Sequence, residues 1–175
     1  AEFPPAALKD GVRNLLRRGG FKPSGRNKPA SEYLVQAARE GRFPFINNLV
    51  DINNYLSLRS GLPISLLDAS VLSGSICIRC GQPGEQYVFN ESGQSINLAG
   101  LICVCGGAPE AGVPLGNPIK DSMAGKLKPL TESAAGIIYA PSDVVSEAEM
   151  EGFLGEFSAL LGEYGGAQNL VQYIA

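Results

Sequence analysis

Over roughly the first 60 residues the apolar positions recur at helical spacing; beyond Val71 they alternate. In PPAALKDGVRNLLRRGG, Leu8, Val12, Leu15 and Leu16 stand at i, i+4, i+7 and i+8, the stripe of an amphipathic helix. Two prolines open it, and Gly19 and Gly20 close it, with Arg17 and Arg18 in the last turn where the helix dipole favours cations. FKPSGRN reads as a loop, and a second helix starts at Pro29 and Ser31 and carries Tyr33, Leu34, Ala37 and Ala38 towards Gly41. A third helix places Leu49, Ile52, Asn53, Leu56 and Gly61 near one face, with Asp51, Asn54, Tyr55 and Arg59 beside it. Gly61 ends that helix and Pro63 prevents its return. ISLLD then reads as a short buried strand that brings Ser65 and Asp68 back near the helix.

The alternating half contains SICIRC, QYVFN, SINLAG and LICVCGG, each bounded by Gly, Pro or Asn. ESG, between Asn90 and Gln94, predicts a hairpin turn and therefore an antiparallel pair. GIIYAP adds an apolar strand after a long loop from Ala108 to Thr131, and loops of that length are commonly functional. This loop holds Glu110, Asn117, Lys120, Asp121, Ser122, Lys126 and Thr131. Ser146 and Glu149 form a capping-box pattern ahead of Met150, Phe153, Leu154, Phe157, Leu160, Leu161 and Tyr164, a helix of about five turns whose stripe reads as core. The expected fold is one α+β domain over residues 1–175: a mostly antiparallel, possibly two-layered sheet, flanked by the N-terminal helices and closed by the C-terminal one.

The formal charge of −3 conceals segregation. Residues 1–42 carry nine basic against four acidic side chains, a net of +5, and the remainder carries five against 13, a net of −8. A basic arm on an acidic body predicts local, salt-sensitive contact with phosphate; the alternative is that RRGGFKPSGRNK is a solvated loop. The chain has no histidine, which excludes Ser-His-Asp and Cys-His triads and any His-ligated metal. On strands, Cys103 and Cys105 point to one face and Cys77 and Cys80 to opposite faces, so buried reduced thiols are expected in place of a shared metal site. No apolar run approaches the roughly 18 residues of a membrane span, and scattered Arg and Lys replace a signal-peptide core, so a cytoplasmic protein is expected.

Polar residues concentrate unusually in FPFINNLVDINNYLSLRSGLPISLLD, Phe43 to Asp68. Asn and Asp near helix ends commonly cap or turn the backbone, and that structural role stands beside a functional one. Val50, Asp51, Asn54, Tyr55, Gly61, Pro63 and Asp68 form a V-D-x-x-N-Y and G-x-P-x-x-x-x-D pattern. It resembles the core of the editing domain, B3/B4, in the beta subunit of bacterial phenylalanyl-tRNA synthetase. GRNKPASEYL, Gly25 to Leu34, resembles the free-standing relatives of that domain, as do Pro118 to Ser122 with Lys126 and Thr131. The resemblance covers about Val12 to Pro141 and leaves no room in this chain for a synthetase catalytic body.

The resemblance implies hydrolysis, in trans, of the ester that joins a misattached amino acid to tRNA, tyrosine on phenylalanine tRNA being the synthetase domain's substrate. An aminoacyl ester is already activated, so a positioned water and donors for the carbonyl oxygen suffice. Asn54, Ser65, Glu110 and Thr131 are the implied water-positioning and substrate-orienting groups. Arg26, Lys28, Asp51, Arg59, Lys120, Asp121 and Ser122 are the implied contacts to the substrate and the tRNA acceptor end. The synthetase domain has a histidine where Ser65 stands and a glutamine where Leu62 stands. It also places a glutamate after a double Gly, a spacing that Gly106, Gly107 and Glu110 miss by one residue. A non-catalytic module binding tRNA or an amino-acid-like ligand is therefore the other expectation. Neither involves a cofactor, a metal, DNA or a membrane.

Overall fold

The computed structural model describes residues 2–72, 74–108 and 110–174. Three helices come first: α1 (Ala6–Arg17), α2 (Ala30–Arg39) and α3 (Asn48–Ser60). The strands follow as β1 (Ile64–Asp68), β2 (Ile76–Cys80), β3 (Gln86–Val88), β4 (Ser95–Asn97), β5 (Ile102–Gly106), β6 (Val113–Gly116) and β7 (Ala134–Ile138), and α4 (Glu147–Tyr164) closes the order. The strands form three small sheets, β1-β7, β2-β5-β6 and β3-β4, whose ladders among the described residues are all antiparallel. The result is an open, two-layer α+β arrangement, as the patterning predicts. No described helix is long and apolar enough to cross a membrane.

Strand β1 organises the core because both of its faces are buried. Ile64 and Leu66 face α3 and α4 and pack with Ile52, Leu56 and Phe157. Leu67 faces the other way, onto Val104, Leu115 and Tyr139, and the two-residue period sends Ser65 to that same side. Fully burying a leucine such as Leu56 or Leu67 contributes about 1.5–3 kcal/mol relative to leaving it exposed. Gly136 of β7 lets α4 dock, since a Cβ there would lie 2.5 Å from the Phe157 ring. The capping box at Ser146 and Glu149 is present, with the Ser146 Oγ accepting from the Glu149 N–H.

Two elements depart from the expectation. The stretch expected as one long loop contains β6, which among the described residues pairs only with β5, its register slipping between Val104 and Cys105. Pro114 masks this strand in the sequence, because a proline cannot donate to a ladder and is confined to edges and irregularities. Strand β7 begins at Ala134, two residues before the expected Gly136, because Ala134 and Ala135 pair with Asp68 and Leu67 despite their low strand preference.

Candidate functional site

A cleft of about 670 Å³ opens between the loop after α1, the 3-10 turn at Gly25–Asn27, the β3–β4 hairpin and Lys120. Its floor is apolar, from the buried Phe21 and Ile96, and its rim carries Lys22, Arg26, Asn27, Gln94, Asn97 and Lys120. Local geometry explains the rim. Gly25 sits at φ +58°, a left-handed conformation that favours glycine, and starts the turn that bears Arg26 and Asn27. The two segments meet through a backbone bond from the Ala30 N–H to the Pro118 carbonyl, 2.8 Å. Among the described residues, Lys22, Arg26 and Lys120 join no ion pair. Partial desolvation, and then the neighbouring Arg26, lower the Lys120 pKa. Unpaired cations over an apolar floor, with amides beside them, suit an anionic ligand that also has a flat or apolar part.

Beneath Lys120 lies a polar network that fixes its backbone. Asn117 Oδ1 accepts from the N–H groups of Ile119, 2.8 Å, and Lys120, 2.9 Å. Its Nδ2 donates to the Tyr87 hydroxyl, which donates to the Lys120 carbonyl at 2.6 Å. Asp121 accepts from Ser65 Oγ at 2.6 Å and from the N–H groups of Leu66 and Asn117, both at 3.3 Å. Tyr139 Oη lies 2.9 Å from Ser65 Oγ. Asp121 keeps some accessible surface, yet desolvation of its carboxyl outweighs these bonds and pushes it up to about 7. Burial first, and Asp121 second, raise both tyrosine pKa values. Ser122 continues the loop, its N–H donating to the Leu115 carbonyl and its Oγ accepting from Gly125 N–H, each at 2.9 Å.

The structure distributes the sequence-predicted residues over several places. Arg26 and Lys120 line the cleft, while Lys28 lines a smaller neighbouring cavity of about 250 Å³. Ser65 is fully buried, and its hydroxyl is engaged as described. Asp51 Oδ1 accepts from the Ile46 N–H at 2.7 Å, and Arg59 Nε donates to Glu156 at 2.9 Å, tying α3 to α4. Thr131 Oγ1 donates to Asp68 Oδ2 at 2.7 Å and accepts from Lys128 N–H. Hydrogen bonds from Ser70 and then Thr131 lower the Asp68 pKa. Glu110 is exposed, and Asn54 is half-buried on α3 with no side-chain hydrogen bond recorded among the described residues. Its neighbour Asn53 is 8% exposed, and its Oδ1 has no partner among the described residues.

Lys22, Asn27, Phe89, Gln94 and Asn97 also line the cleft and were not among the site residues expected from the sequence. The alternation in QYVFN carried a signal for one of them, because it puts Tyr87 and Phe89 on one face of the hairpin. Tyr87 reaches the Lys120 carbonyl, and the Phe89 ring lies under the Lys120 ammonium, 3.9 Å from Nζ to the ring centroid.

Comparison with known proteins places this geometry in a family. A family model described as B3/4 domain matches residues 21–108, which include Arg26, α3, β1 and the Phe89 to Asn97 wall, and stop before Lys120. The phenylalanine–tRNA ligase beta subunit of Bartonella henselae is 43% identical over 87 residues, 50% of this chain and 10% of that protein. That of Neisseria meningitidis is 28% identical over 128 residues, 70% of this chain and 15% of that protein. That of Aquifex aeolicus is 44% identical over 43 residues, 25% of this chain and 6% of that protein. This chain thus matches only a small part of the length of these relatives. Half of it is covered by the family model, and the chain belongs to the B3/4 domain family.

Proposed function

We propose that this protein binds the aminoacyl-bearing end of tRNA in the cleft between the basic N-terminal loop and the β3–β4 hairpin. The observation that carries the proposal is convergence: Arg26 and Asn27 and the loop bearing Lys120, distant in sequence, line one cleft whose cations join no ion pair among the described residues and stand over an apolar floor. Phosphate binding by such cations is salt-dependent and sequence-independent, which suits an RNA end presented by a folded stem. The names of the relatives, phenylalanine–tRNA ligase beta subunits, support tRNA as the source of that end. Lys28 beside the cleft extends the positive track, and Asp121 and Ser122 hold Lys120 in place from below.

A second reading is hydrolysis, in trans, of the ester on a mischarged tRNA, and α3 supplies the observation that favours it. The buried Asn53 Oδ1 lacks a partner among the described residues, and leaving such a group unsatisfied costs about 1–3 kcal/mol, which a donor on a bound ligand would recover. Asn54 follows it in the chain, its amide unengaged among the described residues. In this reading Asn54 orients the aminoacyl group or a water, while Ser65 and Thr131, whose hydroxyls are engaged by Asp121 and Asp68, serve the surrounding structure.

The test is incubation of the purified protein with correctly and wrongly charged tRNAs, following both retention and ester loss. Salt-dependent retention weakened by Arg26→Ala supports the binding reading. Loss of one mischarged species, abolished by Asn54→Ala, establishes hydrolysis as well. Retention of no tRNA at low salt sinks both.

A further inference from the structure

We infer that Phe89 is a stacking platform for an unpaired nucleobase, capped in the free protein by Lys120, which leaves the ring to take a phosphate when RNA binds. This rests on the RNA-binding reading of the cleft and names what the cleft recognises: a single-stranded end, not a duplex.

Three observations converge on Phe89. Its ring lines the cleft together with Arg26, Lys22 and Asn97, and it is half-buried, its body resting on the core cluster that contains Ile96 and Leu98. A ring anchored in this way is held in place before a ligand arrives. Secondly, Lys120 Nζ lies over the ring at 3.9 Å, in the geometry of a cation–π contact. That contact is weak at a partly exposed site, and Arg26 opposes the Lys120 charge from nearby. A phosphate between Arg26 and Lys120 would relieve the repulsion, and a base would replace the ammonium on the ring. Thirdly, the Lys120 backbone is locked: its N–H donates to Asn117 Oδ1 at 2.9 Å and its carbonyl accepts from Tyr87 at 2.6 Å. The exchange therefore needs only rotation of the lysine side chain. Asn97 on β4 and Gln94 in the hairpin loop just before it supply amides at the rim; their oxygens accept from the Ala99 N–H and Asn90 Nδ2, so their NH2 groups are what they offer to the edge of a stacked base. Base–aromatic stacking tolerates any base, so the platform favours unpaired nucleotides without dictating their sequence.

The experiment compares two stem-loop RNAs, one blunt and one with a short single-stranded 3′ tail carrying 2-aminopurine, binding to the full chain. The wild type is expected to bind the tailed RNA more tightly and to quench the 2-aminopurine fluorescence. Phe89→Leu, which keeps an apolar side chain on the core, is expected to bind the tailed RNA roughly five- to hundred-fold more weakly and to lose the quench. Phe89→Tyr retains a ring and should retain both, which separates lost stacking from disturbed folding. Lys120→Ala is expected to keep the quench while the salt dependence of binding becomes shallower by about 0.7. Equal affinity for tailed and blunt RNA, or a Phe89→Leu protein that binds and quenches like the wild type, overturns the platform and leaves the RNA-binding reading standing. Failure to bind either RNA at low salt overturns both.

Discussion

Lys120 and Asp121 are adjacent in the chain and face opposite environments. Lys120 reaches into an open cleft beside Arg26 and Lys22, where its charge has no acidic partner among the described residues. Asp121 turns inward onto Ser65 and the backbone of β1, where three donors, Ser65 Oγ and the N–H groups of Leu66 and Asn117, converge on a carboxyl that burial makes hard to ionise. One turn thus joins two environments: its inner side chains fix a backbone, and its outer one is the proposed ligand contact. Changes below Lys120 should move stability, and changes above it should move binding and leave stability alone.

The largest stability effect should come from Asp121→Ala, which strips acceptors from Ser65 Oγ and two backbone N–H groups in a desolvated site. A loss of about 3 kcal/mol is expected in urea unfolding, and a variant as stable as the wild type would show that the network is not structural. Next comes pH. The Asp121 carboxyl titrates near 7 in the native protein against an ordinary value of 3.8, so the native state binds this proton more tightly than the unfolded chain. Its contribution is therefore full below the ordinary value, falls as pH rises through the window up to about 7, and is flat above it. The wild type should be more stable at about pH 5 than at about pH 8 by about 2 kcal/mol, and Asp121→Asn should remove that difference. Tyr139→Phe, which deletes one hydroxyl beside Ser65, should lose about 1 kcal/mol in the same assay. On the open side, Lys22→Ala should change stability by less than about 0.5 kcal/mol, while making the salt dependence of RNA binding shallower by about 0.7.

Much of the fold was legible because local rules agreed with it. The α1 stripe of Val12, Leu15 and Leu16 is the stripe that is buried, the Ser146 capping box opens α4, and the ESG turn lies in the β3–β4 hairpin. β6 was not legible, because Pro114 argues against a strand until the edge position it occupies is known. The direction of Ser65 was hidden for another reason. ISLLD is buried on both faces, so its apolar residues do not say which side meets the helices, and only packing sends Ser65 away from α3. The cleft was half legible. GRN and PIKDS stood out separately, but the bond from Ala30 to Pro118 that joins their segments is a tertiary contact with no local trace. Phe89 and Asn97 look like ordinary hairpin alternation until Lys120 and the basic loop are placed across from them.

The most direct test of the account is binding of tRNA by the wild type and by an Arg26→Ala, Lys120→Ala double variant across a salt series, with urea unfolding of both proteins alongside. Equal folding stability is expected, with an affinity at least about tenfold weaker at low salt for the double variant and a log–log salt slope shallower by about 1.4. A double variant that folds like the wild type and binds tRNA with the same affinity and slope would contradict it.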